Sequence, residues 1–255
     1  MAQTVAAAAP YDPEWFEEQS KGSLASARRV VPIVVEQLRP ASVVDIGCGV
    51  GTWLGVFREH GVTRTLGLDG DYVERRALRI DADDFNATDL SLPFSVPGRF
   101  DLAVCLEVAE HLPAARAAAL VRTLVGAAPF VLFSAAIPGQ GGTHHINEQW
   151  QDYWRHLFES EGYRAVDLIR PQIWGFPDVE PWYQQNSILF CAPDQLPSRP
   201  NLSPVEGGLS LNLVHPEFYL NAREDALPNL ARSLRLLPRV VTKALARRLG
   251  RVDAA

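Results

Sequence analysis

The sequence predicts an α/β fold: a seven-stranded, mostly parallel sheet with an antiparallel edge strand and helices on both faces. Three observations carry that prediction. Ser42-Val43-Val44-Asp45-Ile46 is a β-branched apolar run that breaks into glycines at 47, 49 and 51 and then into helix formers, which reads as strand, tight turn and helix start. Apolar runs of strand length then alternate with helical segments as far as residue 135, as parallel strands joined by crossover helices do. Two later runs, 163–169 and 187–191, supply the antiparallel pair at the sheet edge.

The elements follow in order. Asp12-Pro13-Glu14 has Pro and acids placed as in a first helical turn, so a short helix is expected there. A second helix is expected from Ser23 to Leu38, with Leu24, Ala27, Val31, Val34, Val35 and Leu38 at helical spacing, Pro32 kinking or breaking it and Pro40 stopping it. Thr52 to His60 reads as a helix closed by Gly61, Arg64 to Leu68 as the second strand ending at Asp69, and Phe85 as the start of the third. Phe100 to Leu106 is nearly continuously apolar, as a strand buried on both faces must be. Pro113 to Val125 follows as helix and Phe130 to Ala135 as the fifth strand.

Residues 137–149 form a glycine-rich loop carrying two histidines. The next helix has Asn147 as its expected N-cap and Trp150, Tyr153, Trp154, Leu157 and Phe158 as its apolar stripe. The segment 171–186 is too long for a hairpin turn and is expected to be a functional loop, or else an aromatic plug closing the sheet edge. Residues 193–215 read as an extended connection, 214–220 as a segment docking back, and 229–251 as a basic amphipathic helix interrupted at Pro238. The expected organisation is a helical cap over 1–40, a core over 41–193 and an extension over 194–255.

With 255 residues, 47% hydrophobic and 21% charged, the chain has the composition of a globular protein with one substantial core. Cys48, Cys105 and Cys191 lie far apart, which argues against a disulfide framework or zinc knuckle. The first ten residues lack a signal-peptide pattern and no stretch reaches the roughly 18 apolar residues of a membrane span, so a cytoplasmic protein is expected. The net charge of -6 hides a basic end, Arg232, Arg235, Arg239, Lys243, Arg247, Arg248 and Arg251, on an acidic body. An acidic body argues against a nucleic-acid partner. The basic helix either rests peripherally on an anionic membrane surface or is a solvated or partner-binding helix.

Chemistry concentrates where the strands end. The glycine turn at 47–51 lets a ligand approach the main chain, and Asp45 beside it would repel a pyrophosphate and attract a cation. The dinucleotide fingerprint would need a glycine where this chain has Thr52. Asp69, about 20 residues beyond the glycines, is placed to accept hydrogen bonds from ribose hydroxyls, an ordinary turn residue being the alternative.

Val43-Val44-Asp45-Ile46-Gly47-Cys48-Gly49-Val50-Gly51 resembles the first motif of the class I S-adenosylmethionine-dependent methyltransferases, which have a Rossmann-like fold. Phe100-Asp101-Leu102-Ala103-Val104-Cys105-Leu106-Glu107-Val108-Ala109-Glu110-His111-Leu112-Pro113 resembles the fourth-strand motif of many small-molecule members. The resemblance covers roughly residues 41 to 192. It implies S-adenosyl-L-methionine as cofactor, bound by Asp45, Gly47, Cys48, Gly49, Gly51, Asp69, Gly70, Asp89, Leu90 and Glu107. Asp89 and Leu90 match the segment that closes on the adenine, a solvated strand end being the alternative. The leading helices would lie over the cofactor and part of the substrate pocket, or simply pack on the sheet.

Gly142-Thr143-His144-His145-Ile146-Asn147 and Pro181-Trp182-Tyr183-Gln184-Gln185-Asn186 look like segments of bacterial methyltransferases of surface-glycan and natural-product assembly. That implies a sugar or sugar-like hydroxyl as acceptor. The alternatives are N- or O-methylation of another small molecule, and a scaffold that binds the cofactor without transfer. A hydroxyl acceptor calls for a positioned base near neutral pKa: His145 first, then His144 and His111. For an amine, Glu107 or Glu110 would orient the acceptor. Glu110, Trp174, Trp182 and Tyr183 are the candidate substrate contacts. Adjacent loop residues seldom aim at one ion and no His-x-x-x-His spacing occurs, so no metal is expected.

Overall fold

The computed structural model describes residues 13–226, in which seven strands form one sheet in the order β3-β2-β1-β4-β5-β7-β6. These are β1 (Ser42–Ile46), β2 (Arg64–Asp69), β3 (Phe85–Ala87), β4 (Leu102–Leu106), β5 (Phe130–Ser134), β6 (Arg164–Val166) and β7 (Ile188–Cys191). Only β7 runs antiparallel to its neighbours, β5 and β6. Its insertion between them makes the expected edge pair.

The sheet is buried on both faces because its central strands are apolar at successive positions. Val43, Leu102, Val104, Phe130 and Leu132 pack with Val31 and Val34 of α1 (Pro13–Leu38) and Leu54 and Phe57 of α2 (Thr52–Glu59). Val44, Ile46, Ala103, Cys105, Val131 and Phe133 pack with Leu120, Val121 and Leu124 of α3 (Ala117–Ala127) and Trp154 and Phe158 of α4 (Gln151–Ser160). The period-two side-chain alternation of each strand divides these residues between the two layers.

The leading segment is one 26-residue helix that joins the two expected ones, with Pro32 inside it rather than breaking it. Proline removes one backbone hydrogen bond, but Val30, Val31 and Val34 around it are completely buried, and that packing holds the helix through the defect. The 171–186 segment also departs from expectation. It contains two short helices, α5 (Arg170–Ile173) and α6 (Pro181–Asn186), each with proline in its first turn where the missing N–H costs nothing.

At α4 the N-cap is Trp150, with no side-chain cap, while the expected cap Asn147 is buried and donates from Nδ2 to Ala109 O at 3.3 Å. The chain divides into two compact units after His215, and α7 (Pro216–Ala226) opens the second. Residues 193–215 belong to the first unit, where Leu202 and Leu211 are buried and Val205 N donates to Ala165 O at 2.9 Å. Among the described residues, no helix is long and apolar enough to cross a membrane. The 229–251 segment lies outside the described residues.

Strand order places the site. β1 pairs in parallel with β2 on one side and β4 on the other, so successive connections leave β1 in opposite directions. The carboxyl ends of such strands form a crevice at the point where the order reverses.

Candidate active site

A cavity of about 700 Å³ lies at that point, lined by the residues that follow the strand ends: Gly47 after β1, Asp69 and Gly70 at β2, Asp89 and Leu90 beyond β3, Glu107 and His111 after β4. Gly47 is required on two counts. Its φ is +81°, and a Cβ there would lie 2.2 Å from Val108 Cγ2, so only glycine lets β1 turn beneath the β4 loop.

Asp69 is held in place by its own turn. Its Oδ2 accepts from Gly49 N at 2.6 Å, and its Oδ1 accepts from Gly70 N at 2.7 Å and from the Tyr72 hydroxyl. Burial raises its pKa, and those three donors oppose the rise. Asp89 is exposed and takes the Ser91 hydroxyl at 2.6 Å and amide at 2.9 Å, which hold its carboxyl below the usual range. Leu90 is buried beside it.

Of the residues expected around the cofactor, Gly47, Asp69, Gly70, Asp89, Leu90 and Glu107 line the cavity, and Asp45, Cys48, Gly49 and Gly51 do not. Asp45 is 3% exposed, and burial first, then the charge of Asp69, pushes its pKa well up. Tyr72 was not read from the sequence. It folds back over Gly70, where a Cβ would meet its ring at 2.1 Å.

The lining contains four carboxylates, Asp69, Asp71, Asp89 and Glu107, and neither lysine nor arginine. Such a surface favours a cationic ligand and opposes a pyrophosphate. Carboxylate acceptors beside the small Gly47 and Gly70 turns and the apolar Leu90 also suit a nucleoside. An adenosyl group bearing a sulfonium fits the donor and acceptor set present.

The β4 end is built differently, from groups brought together over long sequence distances. Glu107 sits at φ +55°, a left-handed conformation rare outside glycine, with its N donating to Ser134 O at 3.0 Å. Gln140 Nε2 donates to one carboxylate oxygen at 3.2 Å and Asn186 Nδ2 to the other at 3.3 Å. Gln185 Nε2 donates to Gln140 Oε1 at 2.9 Å and Asn186 Oδ1 at 3.0 Å, so α6 supplies an amide network around this acid. Burial raises the Glu107 pKa against those bonds.

Glu110 is completely buried, and neither carboxylate oxygen makes a close hydrogen bond, its polar neighbours being the Ala136 amide and the Glu107 carboxyl. Burial and the nearby Glu107 charge push its pKa well up. His111 lies beside it with a buried, unpartnered Nδ1; burial and the His145 charge bring its pKa down to about 4. The His145 ring stands edge-on to His111 at 4.9 Å, its Nδ1 3.0 Å from Glu148 Oε1. Glu148 also accepts from Gly139 N at 2.7 Å and Gly141 N at 3.1 Å, tying the glycine-rich loop to the histidine. His144, at φ +60°, is exposed, and its backbone hydrogen-bonds to His111.

The proposed aromatic contacts do not converge. Tyr183 is buried, its ring edge-on to Trp53 at 5.1 Å and its hydroxyl 3.4 Å from Ser23. Trp182 packs partly buried against the same core, and Trp174, 38% exposed, lies 5.1 Å from the His215 ring. α6 turns Tyr183 and part of Trp182 inward onto the core beside α1 and α2, so the three aromatic side chains do not form one stacking platform.

Residues 21–161 match the family model described as a methyltransferase domain. The chain belongs to that family. Within it, the glycine turn, the acid after β2 and the strand order are those of the class I S-adenosylmethionine-dependent methyltransferases, and S-adenosylmethionine is the cofactor of the fold. Human N-acetylserotonin methyltransferase in complex with SAM has a similar structure, with TM-score 0.50 and 13% identity over 70% of this chain and 55% of that one. CalO1, a methyltransferase in calicheamicin biosynthesis in its SAH-bound form, gives TM-score 0.50 and 17% identity over 69% of this chain and 56% of that one. An O-methyltransferase family protein from Burkholderia thailandensis gives TM-score 0.50 and 13% identity over 71% and 60%. At these identities the likeness is one of fold, and the chain spans a little over half the length of these proteins. A comparison with curated proteins finds no match.

Proposed function

We propose that this methyltransferase transfers a methyl group from S-adenosylmethionine to a hydroxyl of a small acceptor, a sugar or sugar-like molecule in glycan or natural-product assembly. The observation that carries the reading is the juxtaposition of a cavity whose carboxylates have no lysine or arginine beside them with the Glu110, His111 and His145 group, joined through His111, which belongs to both. When bound, S-adenosylmethionine supplies a methyl group already activated by its sulfonium. What remains for the protein is to orient the acceptor, exclude water and take the hydroxyl proton.

Asp69 holds the ribose hydroxyls, Asp89 the adenine amine, and Leu90 covers the ring. The amides around Glu107 keep that acid fixed where the β4 end meets the acceptor space. A proton acceptor is needed for a hydroxyl and not for a neutral amine, so two histidines at this point favour O-methylation. His145 is the first choice as base: Glu148 fixes its Nδ1 proton and leaves Nε2 free to accept. The protein works where its cofactor is made, in the cytoplasm, on a small acceptor and without nucleic acid.

The test supplies methyl-labelled S-adenosylmethionine with panels of hydroxylated and amine acceptors, nucleotide sugars first. Label in an alkali-stable methyl ether supports the reading. Transfer only to amines, or none while the cofactor binds, replaces it with N-methylation or with a binding scaffold.

A further inference from the structure

We infer that Glu110, His111 and His145 form a binding site for one divalent transition cation, with Zn²⁺ the first candidate, at the acceptor end of the cavity. One ligand atom from each residue lies within 4.8 Å of the others. Two ligands bonded to the same ion at about 2.1 Å stand at most about 4.2 Å apart, so small side-chain rotations close the set. Two imidazoles and one carboxylate are the donor set of borderline metals, and they leave positions open for an oxygen ligand.

Two features distinguish this group from a chance cluster. Glu110 is 0% exposed, and neither of its oxygens makes a close hydrogen bond, its polar neighbours being the Ala136 amide and the Glu107 carboxyl. The charged form of such an acid is costly unless it takes up a proton or something positive completes it. Among the described residues no lysine or arginine does so; the other members of the group are His111, whose buried Nδ1 is also unpartnered, and His145. The second feature is the support behind His145. Glu148, anchored by two backbone amides, accepts from Nδ1 and directs the lone pair to Nε2, the outer-sphere arrangement that orients metal-bound histidines. Gly142 leaves open the space at that nitrogen, since a Cβ would sit 2.3 Å from Nε2.

The sequence gives no familiar spacing because the ligands come from two segments, the turn after β4 and the loop after β5. Ile146 N and Asn147 N, donating to Glu110 O at 2.9 and 3.0 Å, draw those segments together. This proposal runs against the metal independence expected from the sequence. Resting on the hydroxyl reading above, the cation gives a second means of activation. The acceptor oxygen binds at an open position and releases its proton to water. It then forms the new bond to the methyl carbon while the carbon–sulfur pair returns to sulfur. His145 is then a ligand and not the base.

Tag-free full-length protein, stripped with a chelator, is titrated with Zn²⁺ by calorimetry and with Co²⁺ by visible absorption. The expected result is one equivalent per chain, with cobalt ligand-field bands that differ from the aqueous ion. His145→Ala and Glu110→Gln should each weaken binding by more than about tenfold, and Glu148→Gln by about tenfold. No saturable binding by folded protein, or equal affinity in His145→Ala, a change in a partly exposed loop that leaves the core intact, overturns the site. Binding of metal with no transfer to any hydroxylated acceptor overturns the hydroxyl reading and leaves the site standing. Undiminished transfer by the stripped protein overturns the activating role.

Discussion

The two ends of the cavity solve the same problem, holding polar groups out of water, by opposite means. At the β1–β3 end the lining acids Asp69 and Asp89 are satisfied by turns, Asp69 by Gly49 of the glycine turn and by Gly70 and Tyr72 of its own, Asp89 by Ser91. At the β4–β5 end the acids depend on distant segments, Glu107 on Gln140 and Asn186, while Glu110 makes no close hydrogen bond. Locally satisfied groups are fixed by the backbone and suit a ligand that never varies. Groups satisfied from afar, or left open, suit chemistry that changes during the reaction, and their strain and raised pKa values are typical of such places.

The comparison breaks first at Gly47. Alanine there combines φ +81° with a 2.2 Å approach to Val108, so the local end should lose its geometry altogether. Gly47→Ala should abolish detectable cofactor binding, a loss of more than about 100-fold, and lower the melting temperature by several degrees. Calorimetry and a thermal melt check both; retained affinity would mean that the turn does not carry the ligand. A gentler probe is Asp69→Asn. Removing a charged acceptor of two hydroxyls should weaken cofactor binding by about 10- to 100-fold. The new amide nitrogen must face one of the donors that Asp69 now accepts from, so the melting temperature should also fall by a few degrees. Equal affinity for the Asn variant would remove Asp69 from the ribose contact.

The same contrast explains what was legible in the sequence. Strands, their order of appearance and the β1–β2 end follow from short-range patterns: β-branched runs, glycines at 47, 49 and 51, and an acid at the end of β2. The β4–β5 end was legible only in part. Glu107, Glu110 and His111 sit in one motif, but their partners Gln140, Glu148, Gln185 and Asn186 are polar residues whose type says nothing until the fold brings them in. Aromatic spacing alone does not say which ring of Trp182 and Tyr183 is buried; the turn of α6 buries Tyr183 and leaves Trp182 partly exposed. A signal for Glu148 did exist. It stands three residues after His145 in a loop rich in glycine amides, which a carboxylate can gather.

Glu148→Gln sharpens the comparison at the second end. It keeps the volume and weakens the hold on Gly139, Gly141 and His145 together. Turnover should fall by about tenfold with cofactor affinity unchanged, because the residue acts through His145 and lies outside the cavity lining. A parallel loss of cofactor affinity would show that the two ends are mechanically coupled.

The smallest effect isolates His111. Its pKa falls from about 6.5 to about 4 on folding, so between those values the unfolded chain binds more protons than the folded one. Its contribution to stability is therefore present above about pH 6.5 and is lost as the pH falls toward about 4. Glu110 and Asp45, whose pKa values are raised, act with the opposite sign: the unfolded chain releases their protons first, so their contribution falls as pH rises. The melting curve of the parent is a sum of these, and its pH dependence alone assigns nothing. The difference between chelator-stripped parent and His111→Asn removes the carboxylate terms common to both. That difference should grow in the parent's favour by a few degrees between about pH 5 and pH 7. A difference flat with pH would mean that the imidazole is charged or solvated in the folded protein, and that the β4 end is as open to water as the exposed Asp89 at the other.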